Sequence, residues 1–234
     1  DNTVIIPAIH IQTLTNNDGF VILPGTPACI SCYQITVTKS NYSTDRTYST
    51  SEVANPLQPY ATVIVGDVTH LSFAIDQISI LIVNSYNSSY SPISNVMFTL
   101  RGSKVIGHDT TDNPVYKYQY NTNTGGGTVQ IPSLEWDNYT LDFTNSSHTF
   151  AGSNPNLPFI LAANSTITLQ IVAVPKYNNS LLVTVKNSAG QLQSSASAVL
   201  SNSVLGYNLT QFTPATGAAN FGQVFFPALQ IGTY

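Results

Sequence analysis

A chain of 234 residues with 42% hydrophobic content can fill one large or two to three small cores, so extended disorder is excluded. Charged residues make up only 8%, the seven Lys and Arg are scattered singly, and the net charge is −4, which excludes a basic track for nucleic acid or an anionic membrane. The longest apolar runs, such as Ile78 to Val83 and Leu157 to Ala163, fall far short of the roughly 20 residues a spanning helix needs.

Taken in chain order, the predicted elements are all strands. The opening segment Asn2 to Thr13 alternates Val4 and Ile6, then Ile9 and Ile11 after Pro7. A word beginning at Gly19, "GFVILPGTPACISCYQITV", leads into the alternating strand Tyr33, Ile35, Val37. Period-two runs follow at Ala61 to Ile75, Ile78 to Val83, Asn95 to Leu100, Ser165 to Val174 and Leu181 to Lys186, separated by Gly, Pro, Asn and Ser clusters. Helical periodicity is absent. Cys29 and Cys32 precede a strand, not a helix, so the context favours a disulfide stapling a long turn over free thiols or a metal site. A zinc site would need two further ligands, and the four His are isolated from one another.

The word at Gly19 recurs at Gly127 ("GTVQIPSLEWDNYTLDF") and at Gly222 ("GQVFFPALQIGTY"), at a spacing close to that of an immunoglobulin-like sandwich. In the second copy Tyr139, Leu141 and Phe143 open a strand. The third copy has no such strand after Tyr234. These repeats predict an all-β chain of tandem immunoglobulin-like sandwiches in three units, 1–77, 78–176 and 177–234, the first lacking a beginning and the third lacking an end. The start at Asp1, not Met, reads as a processed or partial product.

"NVMFTLRGSKVIG", "GTVQIPSLEWDNYTL" and "YQITVTKSNYSTDRTY" resemble the prealbumin-like, carboxypeptidase regulatory-like domains, relatives of collagen-adhesin B-type repeats, of bacterial surface and pilus proteins. The family motif Gly-x-Val-x-Phe-x-x-Leu-x-x-Gly-x-Tyr is matched at Gly222, Val224, Phe226, Leu229, Gly232 and Tyr234, with Asp137 in place of the turn Gly in the second copy. The resemblance implies a β-sandwich used as a stalk, spacer or filament module. Some relatives carry a Lys-Asn isopeptide bond; the second unit has Ile82 and Val83 where Lys would stand, and in the third Lys186 lacks the strand that should supply Asn, so no such bond is expected.

No nucleophile elbow, zincin helix, Walker loop or dinucleotide fingerprint is present, so neither catalysis nor a cofactor is expected. Trp136 is expected to plug the end of the second sandwich, with Glu135 and Asp137 facing solvent. "DTTDN", Asp109 to Asn113, reads as a turn, not a calcium loop. Seven Asn-X-Ser/Thr sequons, at Asn41, Asn87, Asn138, Asn145, Asn164, Asn178 and Asn208, suit a secreted glycoprotein.

The function expected from these features is that of a structural subunit of an extracellular filament, copies joining by strand exchange. Val4, Ile6, Ile9 and Ile11 would form the donor strand, and Val224, Phe226, Leu229 and Tyr234 the acceptor groove. An adhesin stalk contacting surface glycans, or a fragment of a longer secreted repeat protein, are the alternative expectations.

Overall fold

The structure is a computed structural model that describes residues 10–144 and 146–234. The described residues are all-β, with no helix among them and therefore none long and apolar enough to cross a membrane. Toward the N-terminus lie β1 (Cys29–Tyr33), β2 (Thr36–Val37), β3 (Asp45–Arg46), β4 (Asn55–Pro56) and β5 (Ala61–Val63). β1 pairs with β5 and β2 with β3, both antiparallel. The alternating run Ala61 to Ile75 was expected to be one strand, but only its first three residues pair. A strand needs a neighbour for its backbone groups, and residues 67–76 have no ladder partner.

The middle of the chain supplies β6 (Ser79–Tyr86), β7 (Met97–Gly102), β8 (Val105–His108), β9 (Pro114–Tyr116), β10 (Gln119–Asn123), β11 (Thr128–Leu134), β12 (Asp137–Asp142), β13 (His148–Asn154), β14 (Phe159–Leu161) and β15 (Thr166–Pro175). Two four-stranded sheets result, in the orders β10-β7-β12-β14 and β11-β6-β15-β13, with β6 and β15 parallel. Alternation in the sequence puts Leu81, Val83, Phe98, Leu100, Ile131, Leu141, Leu169 and Ile171 into the space between them. Each such side chain contributes roughly 1.5–3 kcal/mol on burial. Tyr139 lies at the centre, its ring fully buried, edge-on to Tyr118 and stacked near Phe159.

The C-terminal part holds β16 (Leu181–Thr184), β17 (Ser197–Asn202), β18 (Tyr207–Phe212) and β19 (Gln223–Phe226), paired only as β16-β19 and β17-β18. Its core is small: Leu200, Val224 and Phe226 are buried, with Val183, Ala198, Tyr207, Leu229 and Tyr234 packed against them.

One local device shapes several of these hairpins. Asn16, Asn87, Asp109 and Asn187 each accept, on one side-chain oxygen, the N–H groups of the residues two and four positions on. The residue three positions on takes positive φ: Gly19 at 82°, Tyr90 at 60°, Asp112 at 66° and Gly190 at 77°. Short polar side chains that mimic a backbone acceptor are what such turns require. "DTTDN" is therefore a turn whose Asp109 carboxylate is engaged by its own loop. Those donors hold its pKa down at about 2.

The parts are joined by polar contacts. Glu135, almost fully buried, receives Lys117 at 3.0 Å and Lys104 at 3.2 Å, and these reach back to Asp45 (3.8 Å) and Asp76 (3.5 Å) of the N-terminal segment. β4 extends β8 and β9 into a three-stranded sheet across the same junction. On the other side Gln223 Oε1 accepts the Ser153 N–H at 2.8 Å, and the Tyr90 hydroxyl donates to Asn220.

The environment of Trp136 corrects the sequence expectation. Trp136 is 49% exposed, whereas Glu135 and Asp137 are 6% and 2% exposed. Two half-buried lysines, Lys104 and Lys117, claim Glu135. Asp137 accepts from the Ser103 hydroxyl at 2.6 Å and from the N–H groups of Lys104 and Asn138. With both carboxylates satisfied inside, the indole is left outside, and Lys104 sits 5.3 Å from its centroid.

Candidate assembly site

The C-terminal module repeats the strand pairings of the first half of the middle sandwich, without a counterpart of the β8–β9 hairpin. Leu181 opposite Phe226 repeats Leu81 opposite Ile131, and Leu200 opposite Leu209 repeats Leu100 opposite Tyr120. The Ala196 N–H donates to the Thr213 hydroxyl as the Val96 N–H does to Thr124. Left-handed residues recur too, Ser195 for Asn95 and Ala228 for Ser133. Tyr234 donates its hydroxyl to the Gln230 carbonyl as Tyr139 does to Glu135, and Tyr33 makes the corresponding bond to Pro27. A two-residue insertion carrying the Cys pair lengthens that last loop.

Where the middle sandwich goes on to β12 and β15, the described C-terminal module has nothing. In the middle, β12 covers the edge of β7 and β15 covers the edge of β6. The equivalent edges of β17 and β16 carry no strand among the described residues. Around them Val199 and Phe212 are 62% and 64% exposed. At the opposite end, Leu14, Phe20, Ile22, Ile64 and Val65 are exposed as well.

A reciprocal exchange marks the same spot in both modules. In the middle, Gly102 leaves room for the Asp137 carboxylate; in the C-terminal module Asn202 stands where Gly102 does and Gly232 where Asp137 does. The Asn202 side chain amide donates to the Thr233 carbonyl. Polar group and void have changed places.

The expected acceptor residues are placed as follows. Val224 and Phe226 are buried in the module's own core, while Leu229 and Tyr234 are half-buried on it. Asn179 holds Leu229 through reciprocal bonds. The exposed face is formed instead by Val199 and Phe212, on β17 and β18. The alternation of "SASAVLSN" contains this signal, because a strand with apolar residues on consecutive positions, Val199 and Leu200, serves two faces. Of the expected donor residues, Val4, Ile6 and Ile9 lie outside the described residues, and Ile11 is exposed.

Cys29 and Cys32 are joined as a disulfide. Among the sequons, Asn41, Asn138, Asn164, Asn178 and Asn208 are exposed and Asn87 is half-buried, its side chain engaged in its turn; Asn145 lies outside the described residues. Lys186 is exposed, beside a bridge to Leu192. A shallow cavity of about 500 Å³ runs past Arg101, Tyr116, Asn138 and Thr140, with the Arg101 guanidinium 4.4 Å from the Tyr116 centroid.

No family model matches the chain, and no curated protein matches it. Two solved structures show a partial likeness. A streptococcal ancillary pilin aligns over 74% of this chain and 58% of its own, at 12% identity and a TM-score of 0.31. The Bacillus anthracis TIE protein aligns over 91% of this chain and 37% of its own, at 15% identity and a TM-score of 0.28. The chain thus spans less than two thirds of either neighbour, and likeness at this level assigns neither family nor function.

Proposed function

We propose that this chain is a structural subunit of an extracellular filament or pilus, and that copies join head to tail by β-strand complementation. The observation that carries the reading is the pair of edges on β16 and β17 that no strand covers among the described residues, whereas the middle sandwich of the same chain fills both. Open edges beside a small apolar core are unfavourable in water and invite a strand from elsewhere. The N-terminal arm, Asn2 to Thr13, is the donor in this reading. Its alternating Val4, Ile6, Ile9 and Ile11 enter beside β16, over the core that holds Val224 and Phe226. Pro7, within the donor, cannot donate to the ladder, so one backbone bond is missing there. Such a contact is heterologous and propagates without closing.

The low charge, the disulfide and the exposed sequons agree with life outside the cell. The role is structural and requires neither cofactor nor catalytic group. Negative-stain microscopy of the purified full chain tests it. Filaments are expected, and deleting residues 1–6 or introducing Ile6→Asp should abolish them; monodisperse particles at every concentration would overturn the reading.

A second reading, a stalk that touches surface glycans, draws on exposed Trp136 with Lys104 beside it. Aromatic platforms of this kind stack on sugar rings. Glycan-array binding that is lost in Trp136→Ala would support it, and absence of binding by the intact chain would dismiss it.

A further inference from the structure

We infer that the open edge of β17 takes the β1–β2 edge of a second copy, in the register by which β12 covers β7. The inference rests on the head-to-tail reading above and names the surface that meets the acceptor. In the middle sandwich β12 has two neighbours: Tyr139 lies opposite Gly102 of β7 on one side and opposite Phe159 of β14 on the other. The N-terminal segment reproduces only the second relation. Tyr33 lies opposite Ala61, β1 against β5, and the other edge of β1 carries no strand among the described residues. The C-terminal module reproduces only what precedes it, β17 against β18. Each part lacks the neighbour that the other possesses. Joined, they give the order β18-β17-β1/β2-β5, which matches β10-β7-β12-β14.

Carrying the register across is direct. Tyr139 opposite Gly102, Thr140 opposite Arg101 and Leu141 opposite Leu100 become Tyr33 opposite Asn202, Gln34 opposite Ser201 and Ile35 opposite Leu200. Burial agrees with that pairing. Tyr33, Ile35 and Val37 are half-buried on one face, while Gln34 and Thr36 are exposed on the other. Leu200 faces the core, and Val199 and Ser201 face out. Neither edge is guarded. Soluble proteins blunt free edges with Lys, other charges or Pro, yet "SAVLSN" and "QITV" contain none of these.

Tyr33 and Tyr234 are counterparts of the same residue, Tyr139, so they compete for the place beside Tyr207. The junction exchanges one tyrosine for the other and gains the strand that follows Tyr33. That exchange is chemically even; the net stabilisation comes from the new ladder bonds and from Ile35 and Val37 closing over Leu200 and Ala198.

The test uses the full chain carrying Gln34→Cys and Ser201→Cys together, both at exposed positions. Mild oxidation should give a ladder of covalently joined chains on a non-reducing gel, with the peptide bearing residue 34 linked to that bearing residue 201. Either single substitution should leave the ladder several-fold weaker. In parallel, Thr36→Lys places a charge opposite Val199 and should abolish assembly with an unchanged circular dichroism spectrum, whereas Thr36→Val should assemble. Filaments that form without the 34–201 link, or that survive Thr36→Lys, overturn this pairing and leave head-to-tail assembly through the N-terminal arm standing. Absence of both filaments and link overturns both.

Discussion

Tyr234 lies edge-on to Tyr207, their centroids 5.3 Å apart and their planes at 85°. The middle sandwich holds the same pair as Tyr139 and Tyr118, at 5.9 Å and 84°. Burial pushes the Tyr118 phenol up to about 12, and burial, then the charges of Asp137 and Glu135, push Tyr139 well above the ordinary range. Because both folded values exceed the unfolded one, this contribution to stability is complete below pH 10 and is lost as pH rises from about 10 toward 12. Above pH 10 the loss is bounded by about 1.4 kcal/mol per pH unit for each of the two tyrosines and falls below it at half-buried Tyr118 once solvent screening is counted. Urea midpoints at pH 9, 10 and 11 measure it, and Tyr118→Phe should reduce the slope.

Glu135→Gln should loosen the junction between the N-terminal segment and the middle sandwich. The substitution leaves Lys104 and Lys117 facing each other with the weaker Asp45 and Asp76 contacts only. Breaking a fully buried pair costs about 3–5 kcal/mol, but the lysine side chains are 28% and 17% exposed, so about 2 kcal/mol is expected after allowing for solvent. Hydrogen exchange should quicken over residues 41–60 and stay unchanged in β16 to β19. Uniform quickening would show that the cluster is not local to that junction.

Gly152→Ala addresses the opposite junction. Gly152 has φ 134°, and an added Cβ would come within 2.5 Å of Asn220 Cβ and 2.9 Å of Gln223 Oε1. Both strain and the loss of the Ser153 to Gln223 bond act together. A cost of about 2–3 kcal/mol follows from the left-handed strain and one buried hydrogen bond, read as earlier proteolysis between residues 213 and 223.

These junctions also mark where the sequence stops being legible. Alternation identified β6, β7, β12 and β15, because each faces a core along its whole length. It over-read Ala61 to Ile75, since period two says which side chains share a face and not whether a neighbouring strand exists. It misplaced Trp136, because Glu135 is drawn inside by two lysines, one of them from beyond β9, and a partner so distant leaves no local pattern. The repeated word ending in Tyr was readable as a motif. Its meaning as a socket was not, until Tyr118 and Tyr207 were seen beside Tyr139 and Tyr234.

Removing the Cys29–Cys32 bridge by Ser substitution at both positions should cost about 2 kcal/mol at most, the loop-entropy value for so short a ring. The effect should be confined to the turn before Tyr33. Alkylation of the native, unreduced chain should label neither thiol; labelling of both would contradict the bond.

Produced alone, residues 78–176 should fold and residues 177–234 should not. The first fragment keeps both four-stranded sheets and the cluster around Leu81, Leu100, Tyr139 and Leu169. The second keeps two separate strand pairs and a core of three buried apolar side chains, Leu200, Val224 and Phe226. At roughly 1.5–3 kcal/mol each, those three contribute less than 10 kcal/mol, against a backbone ordering cost of about 1–2 kcal/mol per residue. In the full chain the module gains from Gln223 and Asn220 at the junction, and in an assembly it gains strands along β16 and β17. Circular dichroism and urea titration of the two fragments check this. A cooperative transition in residues 177–234 alone would mean that the open edges are tolerated without a partner, and would remove the energetic reason for complementation.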